Sequence, residues 1–338
     1  MIPSRRHCAA ALLLGGLILP ACGSDSDDGG RGGSGATGGA AGSGGVAGSG
    51  GAAGTSGASG ASGAADAGTD AAAGYSAQIL TDSAALFVGK SRLSIKVTSN
   101  ADGLPAGGLA GSISLTPKMQ MAAMAHGAPV PPNAVVESGT PGTYDATLFF
   151  PMASVDQDGA PLGTWTLKVG VGPDEVATSE LSVKPAEHDE TTHAALKNAA
   201  DTIQSMGAAK PRSWMLFRDT LSATSSGHEL TLFLATIQEG GMLWPPVTTG
   251  LKLVDSQGVE QLTVQSLAVQ VSTDGDSWTA MSCDAAARCK AELTGLPQGS
   301  AADVLVKLAV NGSDYTTDGS APDATKHNGF ATFVVRAP

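Results

Sequence analysis

Three methionines and one histidine fall within the eight residues Met119-Gln120-Met121-Ala122-Ala123-Met124-Ala125-His126. Thioethers are soft, uncharged donors that suit Cu(I), and a neutral imidazole suits either copper oxidation state. Copper, with Cu(I) favoured, is therefore the expected cofactor, and Met119, Met121, Met124 and His126 are its expected ligands. The segment supplies no carboxylate or thiolate that would favour zinc. The competing expectation is that the methionines fill gaps in a core, which an unbranched, polarisable side chain does well. Against it, the intervening residues are Ala and Gln, with Lys118 just before, rather than large apolar partners.

This chemistry needs an element that points the donors one way. On a strand, Met119 and Met121 share a face about 6.5 Å apart along the chain. Pro117 before the cluster, and Gly127 and Pro129 after it, mark a strand running into a loop. Such a loop lets Met124 and His126 fold back toward the first two donors. Other chemistry has less support. No Ser-His-Asp, Cys-His, HExxH or phosphate-loop pattern is present, so the chain reads as a binding protein rather than an enzyme. Net charge is −12, which disfavours nucleic acid as a partner.

The beginning of the chain reads as an export leader. Arg5 and Arg6 precede the apolar run Ala9 to Leu19, too short to span a bilayer, and Leu19-Pro20-Ala21-Cys22 closes it. That closing tetrapeptide resembles the lipobox of bacterial lipoproteins. The resemblance implies removal of residues 1–21, lipidation of Cys22 and membrane anchoring through that lipid. Gly23 rather than Asp follows the Cys, which by the same resemblance favours the outer membrane of the cell envelope. Residues 22–74 are almost entirely Gly, Ser, Ala and Thr, with an acidic start at Asp25, Asp27 and Asp28. Such a composition cannot bury a core and is expected to be a disordered tether, with a reach on the order of 40 Å.

Residues 75–185 carry short alternating runs, among them Leu93 to Val97, Ser112 to Leu115, Tyr144 to Phe150 and Trp165 to Val169, punctuated by Gly, Pro, Asn and Asp. They predict a β-sandwich with Trp165 in its core. After the Met/His segment come Pro141-Gly142-Thr143-Tyr144, then Phe150-Pro151-Met152, then Gly163-Thr164-Trp165-Thr166-Leu167-Lys168-Val169. In that order the unit, over about residues 76–185, resembles the YtkA-like/FixH-like Ig-type domains of bacterial envelope proteins. The resemblance implies a small periplasmic sandwich linked with copper handling. Here Ala153 to Leu162 intervenes before the Gly-Trp strand, so Met152 is not carried over as a ligand.

Residues 186–211 place Leu196, Ala199, Ala200, Ile203 and Met206 at helical spacing before Gly207, predicting a short helical connector with His188 and His193 in solvent. Residues 212–338 return to strand patterns, with turn signals at Asp274-Gly275 and Asn311-Gly312. Val271 to Trp278, Leu293 to Pro297 and Val304 to Lys307 resemble stretches of fibronectin-type and other Ig-like sandwiches. Met242-Leu243-Trp244-Pro245-Pro246 reads as a degenerate copy of the first unit's Met-then-Pro loop. Cys283 and Cys289 sit in a polar, Ala-rich stretch of an exported chain, where a disulfide is expected and a thiolate metal pair is the alternative.

The expected fold is all-β: two Ig-like sandwich domains joined by a helical connector and preceded by a disordered Gly/Ser-rich tether. Two functions follow. One is a membrane-tethered copper-binding lipoprotein. The other is a cell-surface lipoprotein whose sandwiches bind an envelope protein or a glycan, with no metal role.

Overall fold

Alternation of small apolar and polar residues drives each main strand to bury one face, at roughly 1.5–3 kcal/mol for each large apolar side chain removed from water. In β2 (Gly89–Ser99) Leu93, Ile95 and Val97 are buried while Arg92 and Lys96 are exposed. In β7 (Thr164–Val171) Trp165, Leu167, Val169 and Val171 are buried. The computed structural model describes residues 74–338 except 83–84, 123, 187–189, 206, 241 and 322–328. The expected leader over 1–21, the lipidated Cys22 and the tether as far as residue 73 lie outside the described residues.

One four-stranded sheet has the order β1 (Tyr75–Ile79), β2, β6 (Thr143–Phe150), β5 (Val135–Glu137). A second has the order β4 (Ala125–Gly127), β3 (Ile113–Gln120), β7, β8 (Asp174–Leu181). Side chains from both sheets meet in one core that holds Ile95, Tyr144, Phe150 and Trp165, so the pair is a β-sandwich. Trp165 is fully buried, as expected, and its ring meets Phe150 edge-on at 5.1 Å.

The C-terminal half repeats the scheme with two five-stranded sheets. The first has the order β18 (Ser282–Cys283), β19 (Arg288–Leu293), β13 (His228–Thr236), β12 (Trp214–Ala223), β9 (His193–Leu196). The other runs β17 (Thr279–Ala280), β16 (Leu267–Ser272), β20 (Ala301–Val310), β21 (Ser313–Tyr315), with β22 (Ala331–Arg336) also on β20. A second core with Trp214, Leu232, Val271, Val306 and Phe333 lies between them. Two hairpins complete the set, β10 (Thr202–Ser205) with β11 (Ala208–Pro211), and β14 (Lys252–Val254) with β15 (Glu260–Thr263). All pairings between these strands are antiparallel. Asn311 and Gly312 both take positive φ (52° and 77°) and turn β20 into β21, as the Asn-Gly pair predicts.

A third buried cluster joins the halves. Phe149, Met215, Phe217, Phe233 and Ala235 pack together on the faces of β6, β12 and β13 that point away from the two sandwich cores. Phe149 stacks on Phe233 at 4.5 Å and meets Phe217 at a tilt at 5.3 Å between ring centres. A bulge between Arg218 and Thr220 leaves Asp219 out of the β12 ladder. Its carboxylate pairs with Lys90 of β2 and, at 2.7 Å, with Arg288 of β19. Burial pushes that carboxyl up, and the hydrogen bonds and charges of Lys90 and Arg288 outweigh it, so its pKa lies below the ordinary carboxylate value. The described residues belong to one compact unit.

Two expectations about 186–211 are corrected. No α-helix forms there among the described residues, because the segment finds better partners as strands. β9 adds an edge to β12 and buries Leu196, and Gly207 at φ 79° lies between β10 and β11. Helix propensity differences below about 1 kcal/mol per residue are readily overridden by such burial. His193 is not solvated either: it is half-buried and stacks on Phe217 at 5.8 Å. His188 lies outside the described residues.

The Cys283–Cys289 disulfide is present, with Cα atoms 3.9 Å apart at directly opposed positions of β18 and β19. The polar stretch between them is a hairpin turn in which Asp284 Oδ1 accepts the backbone N–H groups of Ala286 and Arg288, both at 2.9 Å. The bridge commits both sulfurs, in place of the thiolate metal pair.

Candidate metal centre on the β3–β4 hairpin

Register decides where the four expected ligands point. Met119 lies directly opposite His126, and the Met121 N–H donates to the Met124 carbonyl at 2.9 Å, which carries the pairing one step further. Opposed residues of an antiparallel pair share a face, and so do residues two apart on one strand. Met119, Met121, Met124 and His126 therefore share one face of the hairpin. His126 Nε2 is 2.9 Å from Met124 Sδ. An ion bound to both atoms needs them further apart, an adjustment that the three rotatable bonds of Met allow.

That shared face is graded from dry to open. Met119 is fully buried in the first core, Met121 packs against the same core half-buried, and Met124 and His126 are half-buried beside a cavity. The core-filling role thus holds for Met119, opposite Trp165 on β7. Gly163 makes room for the first two methionines: a Cβ there would meet Met119 Cε at 2.9 Å, Met121 Cγ at 3.1 Å and the Gln120 carbonyl oxygen at 2.6 Å. Because that oxygen is backbone, Gly163→Ala should cost about 1–3 kcal/mol, read as a lower urea midpoint at unchanged slope. Wild-type stability in the variant would show that the strands shift freely there.

Behind the hairpin, Gly127 lies against the second half. A methyl group at Gly127 would run into the Met242 carbonyl, with Trp244 Cδ1 3.4 Å away. The segment read as a degenerate copy of the Met-then-Pro loop is thus the seat of β4. Across the cavity, of about 280 Å³, Met124 and His126 look onto Ile203, Gln204 and Ser205 of β10 and onto Ile237. Ile203 is buried. Met152, set aside as a ligand, uses its carbonyl to accept the Trp165 indole N–H at 3.1 Å. Among the described residues no group of three or more His, Cys, Asp or Glu side chains is placed to hold a metal ion.

Burial lowers the pKa of His126 below the ordinary 6.5, and does the same to His193. Both imidazoles are neutral at pH 7, and a neutral ring nitrogen is what a metal requires. The unfolded chain takes up protons as pH falls through 6.5 while these two sites resist, so the metal-free protein loses stability from about pH 6.5 downward until the lowered values are reached. Urea midpoints at pH 8 and pH 5.5 should show this. In His126→Gln/His193→Gln the pH 8 to 5.5 loss should shrink; an undiminished loss would assign it to other groups.

A buried polar network that sequence reasoning missed lies on the far side of β10. Asp201 accepts from Arg212 Nε at 3.0 Å, from the Trp214 indole at 2.8 Å and from the Tyr315 hydroxyl at 3.0 Å. Arg212 is 1% exposed and also donates to the Ile237 carbonyl at 3.0 Å. Burial, then the negative charge of Asp201, push the Tyr315 hydroxyl up, so it stays a donor. The network ties Ile237 and β10, which together make one wall of the cavity, to the second core.

No protein-family model matches the chain, and no curated protein matches it. Among solved structures, domains 4–9 of surface layer protein SbsC share 10% identity over 78% of this chain and 31% of theirs, at TM-score 0.22. Domains 5–6 of the S-layer protein SbsC share 11% over 77% of this chain and 99% of theirs, at 0.22. Titin-A168169 shares 8% over 75% and 91%, at 0.16. The chain spans about a third of the length of the first of these, 31%. The β-sandwich character rests on the sheets and cores described above.

Proposed function

We propose that this is a lipid-anchored protein of the bacterial cell envelope that binds Cu(I) through Met121, Met124 and His126, with the Met119 sulfur closing the site from the core side. It is read as a binding protein and not as an enzyme. The lipobox-like Cys22 supports the anchor, the Gly/Ser-rich stretch after it supports a tether, the YtkA-like order of motifs over about residues 76–185 supports an Ig-like first domain with a copper role, and the fibronectin-like stretches after residue 212 support a second Ig-like domain. The observation that carries the metal reading is the hairpin register, which sets three thioethers and one imidazole on one face with Nε2 2.9 Å from Sδ. Neutral soft donors retain Cu(I) and offer little to zinc.

The test is a competition titration against a Cu(I) chelator, run on wild type and on Met119→Leu/Met121→Leu/Met124→Leu. Leu for Met conserves apolar volume, so the fold should survive at a cost under about 1.5 kcal/mol per site. Affinity should fall by about 10–100-fold or more, since removing soft ligands costs at least what disturbing outer partners does. Equal affinity in the two proteins, or none in either, would sink the proposal.

A further inference from the structure

The cavity beside His126 has two unlike walls. One is Met124 and His126 of the first half. The other is Ile203 and Ile237 of the second, with Gln204, Ser205 and Gly240 beside them. Among the described residues its lining contains no carboxylate, thiolate, Lys or Arg. A divalent ion brought into such a place keeps nearly all its charge uncompensated and loses water it cannot replace, whereas Cu(I) with neutral soft donors leaves a single, weakly hydrated charge.

We propose that Ile203 and Ile237 are specificity-determining residues of the copper site: they form an aliphatic wall that selects monovalent copper over Cu(II) and Zn(II). The inference rests on the copper reading above and adds to it, because it moves selectivity from the ligands to a wall supplied by segments outside the first sandwich. Apolar shells of this kind control solvent access and local dielectric around a metal. Ile203 is 7% exposed and sits on β10, opposite the donors rather than among them. It can therefore be changed without touching a ligand.

The experiment uses the full mature chain and three variants, Ile203→Val, Ile203→Thr and Ile203→Asn. Val and Thr have nearly the same shape and both suit a strand, so they differ at this wall only by a hydroxyl in place of a methyl. Each protein is titrated anaerobically with Cu(I) against a chelator, and separately in air with Cu(II) and with Zn(II). The ratio of the Cu(II) to the Cu(I) dissociation constant should stay at the wild-type value in Ile203→Val. It should fall about ten-fold in Ile203→Thr and further in Ile203→Asn, with Zn(II) following Cu(II). Unchanged ratios in folded Thr and Asn variants that still bind Cu(I) would overturn the wall and leave the copper reading standing. Absence of Cu(I) binding in the wild type would overturn both.

Discussion

Asp201→Ala should cost about 3–5 kcal/mol of folding stability, the range for breaking a buried ion pair from one side. The carboxylate is the common acceptor of the Arg212, Trp214 and Tyr315 side chains. Its removal strands a guanidinium that is 1% exposed, together with two buried donors that lose their acceptor. Arg212→Met should cost less, because the carboxylate keeps Trp214 and Tyr315, and an apolar side chain of similar length fills the space. Urea denaturation of both variants checks the order. A loss below about 1 kcal/mol in Asp201→Ala would mean that water replaces the missing acceptor.

Asp201 also shows where the sequence is opaque. It stands in a run whose Leu196, Ala199 and Ile203 spacing reads as a helix, yet the side chain caps the second core from a strand connection. Period and propensity describe a segment alone; they do not report that β12 has an open edge for β9 to fill. Where alternation is strict, as from Leu93 to Val97 and from Trp165 to Val169, strand and buried face are both legible, because one face meets a core and the other water. Leu148-Phe149-Phe150 and Trp214-Met215-Leu216-Phe217 break the alternation, which is the signature of a strand covered on both faces. Read that way, these runs would have announced the third cluster. At the metal centre the residue types were legible and the depth was not: spacing puts Met119 and Met121 on one face, but only the pairing with β7 shows that this face starts inside the core.

Phe149→Ala should likewise cost about 3–5 kcal/mol. The ring is fully buried although it points away from its own sandwich core, and it packs on Phe233 and Phe217 of the other half. Each such ring pair adds about 0.5–1.5 kcal/mol beyond the area buried. Lys90 also bridges the halves, but Asp219 retains Arg288 when Lys90 is lost, so Lys90→Met should be the milder change. The effect of Phe149 reaches the metal centre. Its backbone N–H donates to the Pro129 carbonyl at 3.1 Å, two residues beyond β4, and β4 in turn sits on Met242. Loosening the aromatic cluster should let the hairpin draw back from β10, so Cu(I) affinity should fall together with stability although no ligand is altered. Phe149→Leu, which keeps most of the volume, should restore much of both. Stability lost with Cu(I) affinity unchanged would show that the hairpin holds its donors without the second half; a stability loss under about 1 kcal/mol would show that the aromatic cluster does not join the two halves.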